Sequence, residues 1–177
     1  AYRDYPEEFS LAVGKTYYFD LSGENIPGTA DGALPDTTLH YVPFVYVGSI
    51  DAYKLKPAAS GVIEAAANAS ETDDPDARYG FTRLHSLFIA DRTVSTRVSW
   101  TQLDEKGLIF GRDYTAGGVN YTLRVPSMGS HYDERFNDLP TNNEWEKIVA
   151  KDAALIKNME IPKGDLYLYW GQDTRDN

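Results

Sequence analysis

The chain contains no cysteine. Disulfides, thiolate metal sites and cysteine nucleophiles are therefore excluded together, because each needs the sulfur. Compartment is not fixed by this, since an exported protein can also do without cysteine. Long apolar runs are missing too: none approaches the roughly 20 residues a helix needs to cross a bilayer, so membrane insertion is not expected. Histidine is scarce. His40, His85 and His131 stand apart, none in His-Glu-x-x-His or another zinc spacing. Positive charge is in short supply, with 17 Lys and Arg against 27 Asp and Glu and a formal net charge of −10. A phosphate backbone repels such a surface, so nucleic acid is not an expected partner. The plainest role of the charge is solubility. Basic stripes, phosphate-cradling glycine loops, coiled-coil heptads and fixed-period repeats are absent as well.

What the chain has is aromatic surface: 13 Tyr, 7 Phe and 3 Trp in 177 residues, 42% of them hydrophobic. That composition supports a real core and suits strands with one wet face, as well as binding surfaces. The length fits a single domain over 1–177. Within it, 1–56 is strand-rich, 57–80 is a solvated loop carrying Glu71-Thr72-Asp73-Asp74-Pro75-Asp76, and 81–177 forms the remainder. The opening Ala1-Tyr2-Arg3-Asp4 has no methionine and no signal-like apolar stretch, and reads as a mature, processed or excised segment.

Residues 16–21 predict a strand ending at the Ser22-Gly23 turn, followed by a Gly- and Pro-bearing loop over 24–38. Residues 41–47 and 50–55 predict two strands joined by a tight hairpin at Gly48-Ser49, with Pro43 marking an edge or a bulge. Residues 85–90 predict another strand. Residues 93–100 alternate Val94, Thr96, Val98 and Trp100 against Ser95, Arg97 and Ser99, the period of a half-buried strand. Short strands are predicted at 107–110 and 119–125, with Gly117-Gly118 between them. One helix is expected, near 141–158: Thr141 as N-cap and Glu144 three residues on form a capping box, and Trp145, Ile148, Val149, Asp152, Leu155 and Ile156 follow at helical spacing, an apolar face with one polar break. The fold class is α+β, rich in short antiparallel strands.

Leu139-Pro140-Thr141-Asn142-Asn143-Glu144-Trp145-Glu146 resembles the Leu-Pro-Thr-x-x-Glu-Trp-Glu segment of the formylglycine-generating-enzyme and sulfatase-modifying-factor branch of the C-type lectin-like fold. Leu123-Arg124-Val125-Pro126 lies upstream, where that family places an Arg-rich strand. Tyr167-Leu168-Tyr169-Trp170-Gly171-Gln172-Asp173 is similar to its aromatic-Pro-Trp-Gly-Asp stretch, with Tyr169 where proline is common. The resemblance covers about 50 residues and implies a C-type lectin-like architecture for 81–177. It implies that the Trp145 indole packs close to that of Trp170. Formylglycine formation does not carry over, because the family's paired copper-binding cysteines are missing. The family pattern also runs on beyond its Trp-Gly segment, so the domain is expected to be cut at Asn177 or completed by the N-terminal strands. Phrases such as Ile109-Phe110-Gly111-Arg112-Asp113-Tyr114 also look like uncharacterised lectin-like domains of gut-bacterial surface proteins.

The resemblance implies a non-enzymatic, exported bacterial or phage domain, extracellular or on the cell surface, that binds a protein or glycan through loops. Trp170, Gln172, Asp173 and Arg175 are the candidate ligand contacts. No cofactor is required by this reading, with calcium as an option: Asp73, Asp74 and Asp76 offer hard oxygen ligands but lack the spacing of a calcium loop, and Asp173, Asp176 and Asn177 form a second oxygen cluster near the Trp-Gly segment, where the resemblance implies that calcium can bind. Two other readings stand beside it. One is a hydrolase with a carboxylate pair or with His131 near Ser130 and Asp133; no Gly-x-Ser-x-Gly elbow accompanies them. The other is a structural segment of a longer surface protein, or a variable display protein of the kind diversity-generating retroelements produce. Asn68-Ala69-Ser70 and Asn120-Tyr121-Thr122 match the N-glycosylation triplet.

Overall fold

The computed structural model describes residues 11–52, 83–127 and 143–148. These form small antiparallel sheets with little helix, a β-rich α+β arrangement. The strands are β1 (Thr16–Phe19), β2 (Thr29–Ala30), β3 (Val42–Ala52), β4 (Arg83–Ala90), β5 (Ser95–Thr96), β6 (Arg112–Ala116) and β7 (Val119–Leu123). The helices are α1 (Trp100–Glu105) and α2 (Glu144–Ile148). The main sheet has the order β1-β3-β4, while β2-β5 and β6-β7 form two-stranded ribbons. No described helix is long and apolar enough to cross a membrane.

The register of the main sheet follows from its aromatics. Tyr17↔Phe44 and Phe19↔Val42 on β1/β3, and Tyr46↔Phe88 on β3/β4, turn large side chains to one face. There Phe19 meets Phe44 and Phe88, each at 5.2 Å between ring centroids, and Tyr121 of β7 at 5.3 Å, all edge-on. Edge-on contact suits the ring quadrupoles and adds to the gain from area burial. Tyr114 of β6 closes this core and donates its hydroxyl to the Asp20 carbonyl at 2.8 Å, tying the β6-β7 hairpin to the end of β1. Burial raises the Tyr114 pKa. On the opposite face Ile89 of β4 packs on Ile148 of α2, with Leu87 and Trp145 alongside.

Several expectations need correction. The hairpin at Gly48-Ser49 does not exist: β3 runs unbroken through it. The register passes from Tyr46↔Phe88 to Gly48↔Leu87, so Val47 is an extra residue in a β-bulge. Gly48 has φ +82, a conformation a bulge uses as readily as a turn, and pairing with β4 on both sides of it makes the bulge the outcome. Pro43 lies near the start of this central strand. Its carbonyl accepts from the Asp91 N–H at 3.1 Å, but a proline nitrogen cannot return the bond to Asp91, and the β3/β4 ladder ends there, at Phe44↔Ala90.

The eight-residue strand at 93–100 reduces to β5, which pairs with β2. Arg97, at φ +55, ends it, and Ser99 starts a helix instead. Ser99 Oγ accepts from the Gln102 N–H at 3.1 Å, and Gln102 Oε1 accepts from the Ser99 N–H at 2.9 Å, a complete capping box. Residues 107–110 are likewise not a strand. Gly107, at φ +70, is the left-handed residue that ends α1: its N–H reaches the Asp104 carbonyl at 2.8 Å, and the Leu108 N–H reaches the Leu103 carbonyl at 2.9 Å. This Schellman pairing brings Leu103 and Leu108 together in one core cluster with Trp100 and Ile109. A second helix and the strand β6 are thus additions to the expected elements, and β7 stops at Leu123. The expected helix over 141–158 is described only as α2; Thr141 and 149–158 lie outside the described residues, as does the loop at 57–80.

Candidate functional site

Glu144 opens α2 and is fully buried. A carboxylate in that position is tolerated only if its oxygens are filled. Arg124, directly after β7, supplies Nη1 to Oε1 at 2.5 Å and Nη2 to Oε2 at 2.7 Å. His85 of β4 lies with Nε2 2.8 Å from Oε2. An ionised carboxylate only accepts, so His85 Nε2 carries the proton in this contact. The Ser127 N–H donates to Oε1 at 3.1 Å, and Ser127 Oγ accepts from the Glu144 N–H at 3.0 Å. Burial pushes the Glu144 pKa up; hydrogen bonds from Arg124 and His85, the Arg124 charge and the Ser127 N–H outweigh it and bring the value to about 2.

Three separate segments meet here: the face of β4 that covers α2, the chain after β7, and α2 itself. The Trp145 N–H also donates to the Ser127 carbonyl at 2.9 Å, so the chain leaves at Ser127 and returns at Asn143 to a single point. Chemically the cluster is a clamp. A general base needs a free lone pair and a pKa near the working pH, and Glu144 offers neither. In the sequence Glu144 stands as half of a capping box and Arg124 as part of the strand that the resemblance marks; nothing in it signals their meeting or the parts played by His85 and Ser127. Of His85, Arg124 and Glu144, Arg124 alone is flanked on both sides by apolar residues, Leu123 and Val125, and this is the one local signal of burial among them.

Beside the clamp lies a cleft of about 290 Å³, walled by Phe44, Phe88, Val98, Leu123, Val125 and Trp145 among others. Two cations reach its wall. Arg124 is held by Glu144. Arg92 gives Nε to Asp91 Oδ1 at 2.7 Å and Nη1 to the Ala33 carbonyl at 2.8 Å. No match to this chain exists among family models, curated proteins or solved structures.

An exposed cluster sits on the loop before β3. Asp36 Oδ1 accepts from the Thr38 hydroxyl and N–H, which lower its pKa, and Thr38 Oγ1 is 2.7 Å from His40 Nδ1. The hydroxyl proton is already given to Asp36, so Thr38 is not primed by His40 as a nucleophile. Tyr18 and Tyr41, 62% and 64% exposed, are the large aromatics left in water among the described residues.

The expected ligand contacts Trp170, Gln172, Asp173 and Arg175 lie outside the described residues. So do His131 with Ser130 and Asp133, and both oxygen clusters considered for calcium. Among the described residues no group of three His, Asp or Glu is arranged to hold a metal ion. Trp145 is half-buried against Ile89 and Ile148, while its expected partner Trp170 is outside the described residues. Of the glycosylation triplets, Asn120 is exposed on β7 and accepts from the Thr115 hydroxyl at 2.9 Å; Asn68 is outside.

Proposed function

We propose that this chain is a non-catalytic, exported ligand-binding or adhesion domain on a C-type lectin-like scaffold, recognising a protein or a glycan through surface loops. The observation that most supports this reading is the clamp of Ser127 on Glu144 and Trp145, which ties the chain after β7 to the start of α2. Binding surfaces gain from a rigid scaffold, because less freedom is lost when a ligand is bound. The clamp also commits the most deeply buried acid of the described residues to architecture. Trp170, Gln172, Asp173 and Arg175 are the proposed contacts, with calcium as the ion to test and an extracellular or cell-surface setting, within a longer surface protein. The scaffold assignment rests on the motif resemblance around Glu144 and Trp170 together with the β-rich α+β arrangement.

The test is binding of the purified chain to glycan arrays and to candidate surface proteins, with calcium and with EDTA. Saturable binding to one ligand class, weakened at least tenfold by Trp170→Ala at unchanged circular dichroism, is the expected result. Steady turnover of a glycan or peptide substrate, abolished by His131→Ala, would overturn the proposal in favour of a hydrolase.

A further inference from the structure

The cleft beside the clamp differs from a loop-built surface in its chemistry. Its walls are overwhelmingly apolar and aromatic, and the two guanidinium groups that reach it are already spent on Asp91, the Ala33 carbonyl and Glu144. A ligand carboxylate or phosphate entering it would lose water without gaining a free cation, which is costly. An uncharged apolar ligand loses nothing comparable and gains with every square ångström it buries. Size narrows the choice. The cleft, at about 290 Å³, is about twice the roughly 150 Å³ of an apolar cavity that stays dry and accepts a single benzene.

We propose that this cleft is a binding site for an uncharged, largely apolar organic ligand of about two fused rings, in contact with Phe44, Phe88, Leu123, Val125 and Trp145 of its lining. The site is separate from the loop surface proposed above, and either can fail without the other. Trp145 makes occupancy readable, because a ligand in the cleft changes the polarity around its indole.

The probe is 2-naphthalenemethanol, titrated into the full chain and followed by tryptophan fluorescence and calorimetry. We expect one saturable site, with 2-naphthoate, the same rings bearing a charge, binding at least tenfold more weakly. Val94→Phe and Val98→Phe, which fill the cleft from two positions of its wall, each raise the dissociation constant for the alcohol at least tenfold. Two variants are used so that a misfolded one, recognised by circular dichroism, does not decide the matter. The proposal is overturned by the absence of saturable binding, as when the rest of the chain or a second copy fills the space, by equal affinity for the naphthoate, or by folded filling variants that bind like the parent.

Discussion

Arg124 grips Glu144 with both arms of its guanidinium, Nη1 on Oε1 and Nη2 on Oε2, in a site where the carboxylate is fully buried and the arginine side chain is 8% exposed. The planar fork matches the carboxylate, which an ammonium cannot do. A buried pair of this kind adds little net stability over two well-packed apolar residues, but removing one partner strands the other charge.

We expect Arg124→Met to cost about 3–5 kcal/mol in urea unfolding, as for other buried pairs broken from one side. Arg124→Lys should recover only part of this, because a point charge satisfies one oxygen at a time. The double variant Arg124→Met/Glu144→Met should be less destabilised than the sum of its single changes, since neither charge is then left alone. Additive losses would mean that the two residues stabilise the fold independently.

The depressed Glu144 pKa sets a pH dependence of definite sign. Its ordinary value is 4.5 and its value in the fold is about 2. The folded state therefore binds the proton less readily than the unfolded chain, and the stabilisation is complete above 4.5, declines as pH falls and is gone below 2. The gap corresponds to roughly 3 kcal/mol. We expect the stability difference between the parent and Glu144→Gln to shrink steadily between pH 5 and pH 2 in denaturant titrations. Parallel curves for the two proteins across that window would remove Glu144 as the titrating group. Asp20 and Asp36 also have lowered values, through hydrogen bonds from Ser22 and Thr38, but both sit at the surface, where water screens the effect.

The β-rich α+β character was legible because short aromatic-rich segments such as Thr16–Phe19 have few other uses. What the sequence concealed were the places where one local signal serves two structures. Gly48 marks a positive φ, which a hairpin and a bulge both need, and only the neighbouring strand decides between them. The alternation from Val94 to Trp100 satisfied a strand template, yet Ser99 and Gln102 already spelled a capping box inside it. Giving the cap precedence over two further alternating residues finds α1. The clamp was less accessible: His85, Arg124, Ser127 and Glu144 are brought together by tertiary packing, and their spacing along the chain carries no pattern.

Gly28 sits where backbone conformation and packing both exclude a side chain. Its φ is +89, and a Cβ there would lie 2.5 Å from Ser95 Oγ and from the Thr96 carbonyl oxygen. Those atoms belong to β5, whose pairing with β2 is short, and Ser95 Oγ already donates to the Pro27 carbonyl. Gly28→Ala must therefore move the ribbon or strain the turn, at an expected cost of about 2 kcal/mol or more. Gly32, with open space around it and no positive φ, is the control: Gly32→Ala should leave the melting temperature within a degree or two, as expected of a surface change that meets nothing. Equal tolerance of both changes would show that the β2-β5 ribbon yields freely.

Helix α1 offers a cleaner dissection, because both halves of its cap are exposed while the residues it positions are not. Ser99→Ala removes the acceptor for the Gln102 N–H, and Gln102→Ala removes the acceptor for the Ser99 N–H. Each freed donor can still reach water, so the expected cost is about 1 kcal/mol apiece rather than that of a buried unsatisfied group. Trp100, at the first helical position and 8% exposed, senses whether the cap holds the helix against Leu103, Leu108 and Ile109. Near-ultraviolet circular dichroism should therefore lose tryptophan fine structure at a lower temperature in Ser99→Ala than in the parent, and Ser99→Asp, another good cap, should restore it. If Ser99→Ala melts like the parent, packing of Trp100 and Leu103 fixes α1 by itself, and the cap is only a consequence of where the helix begins.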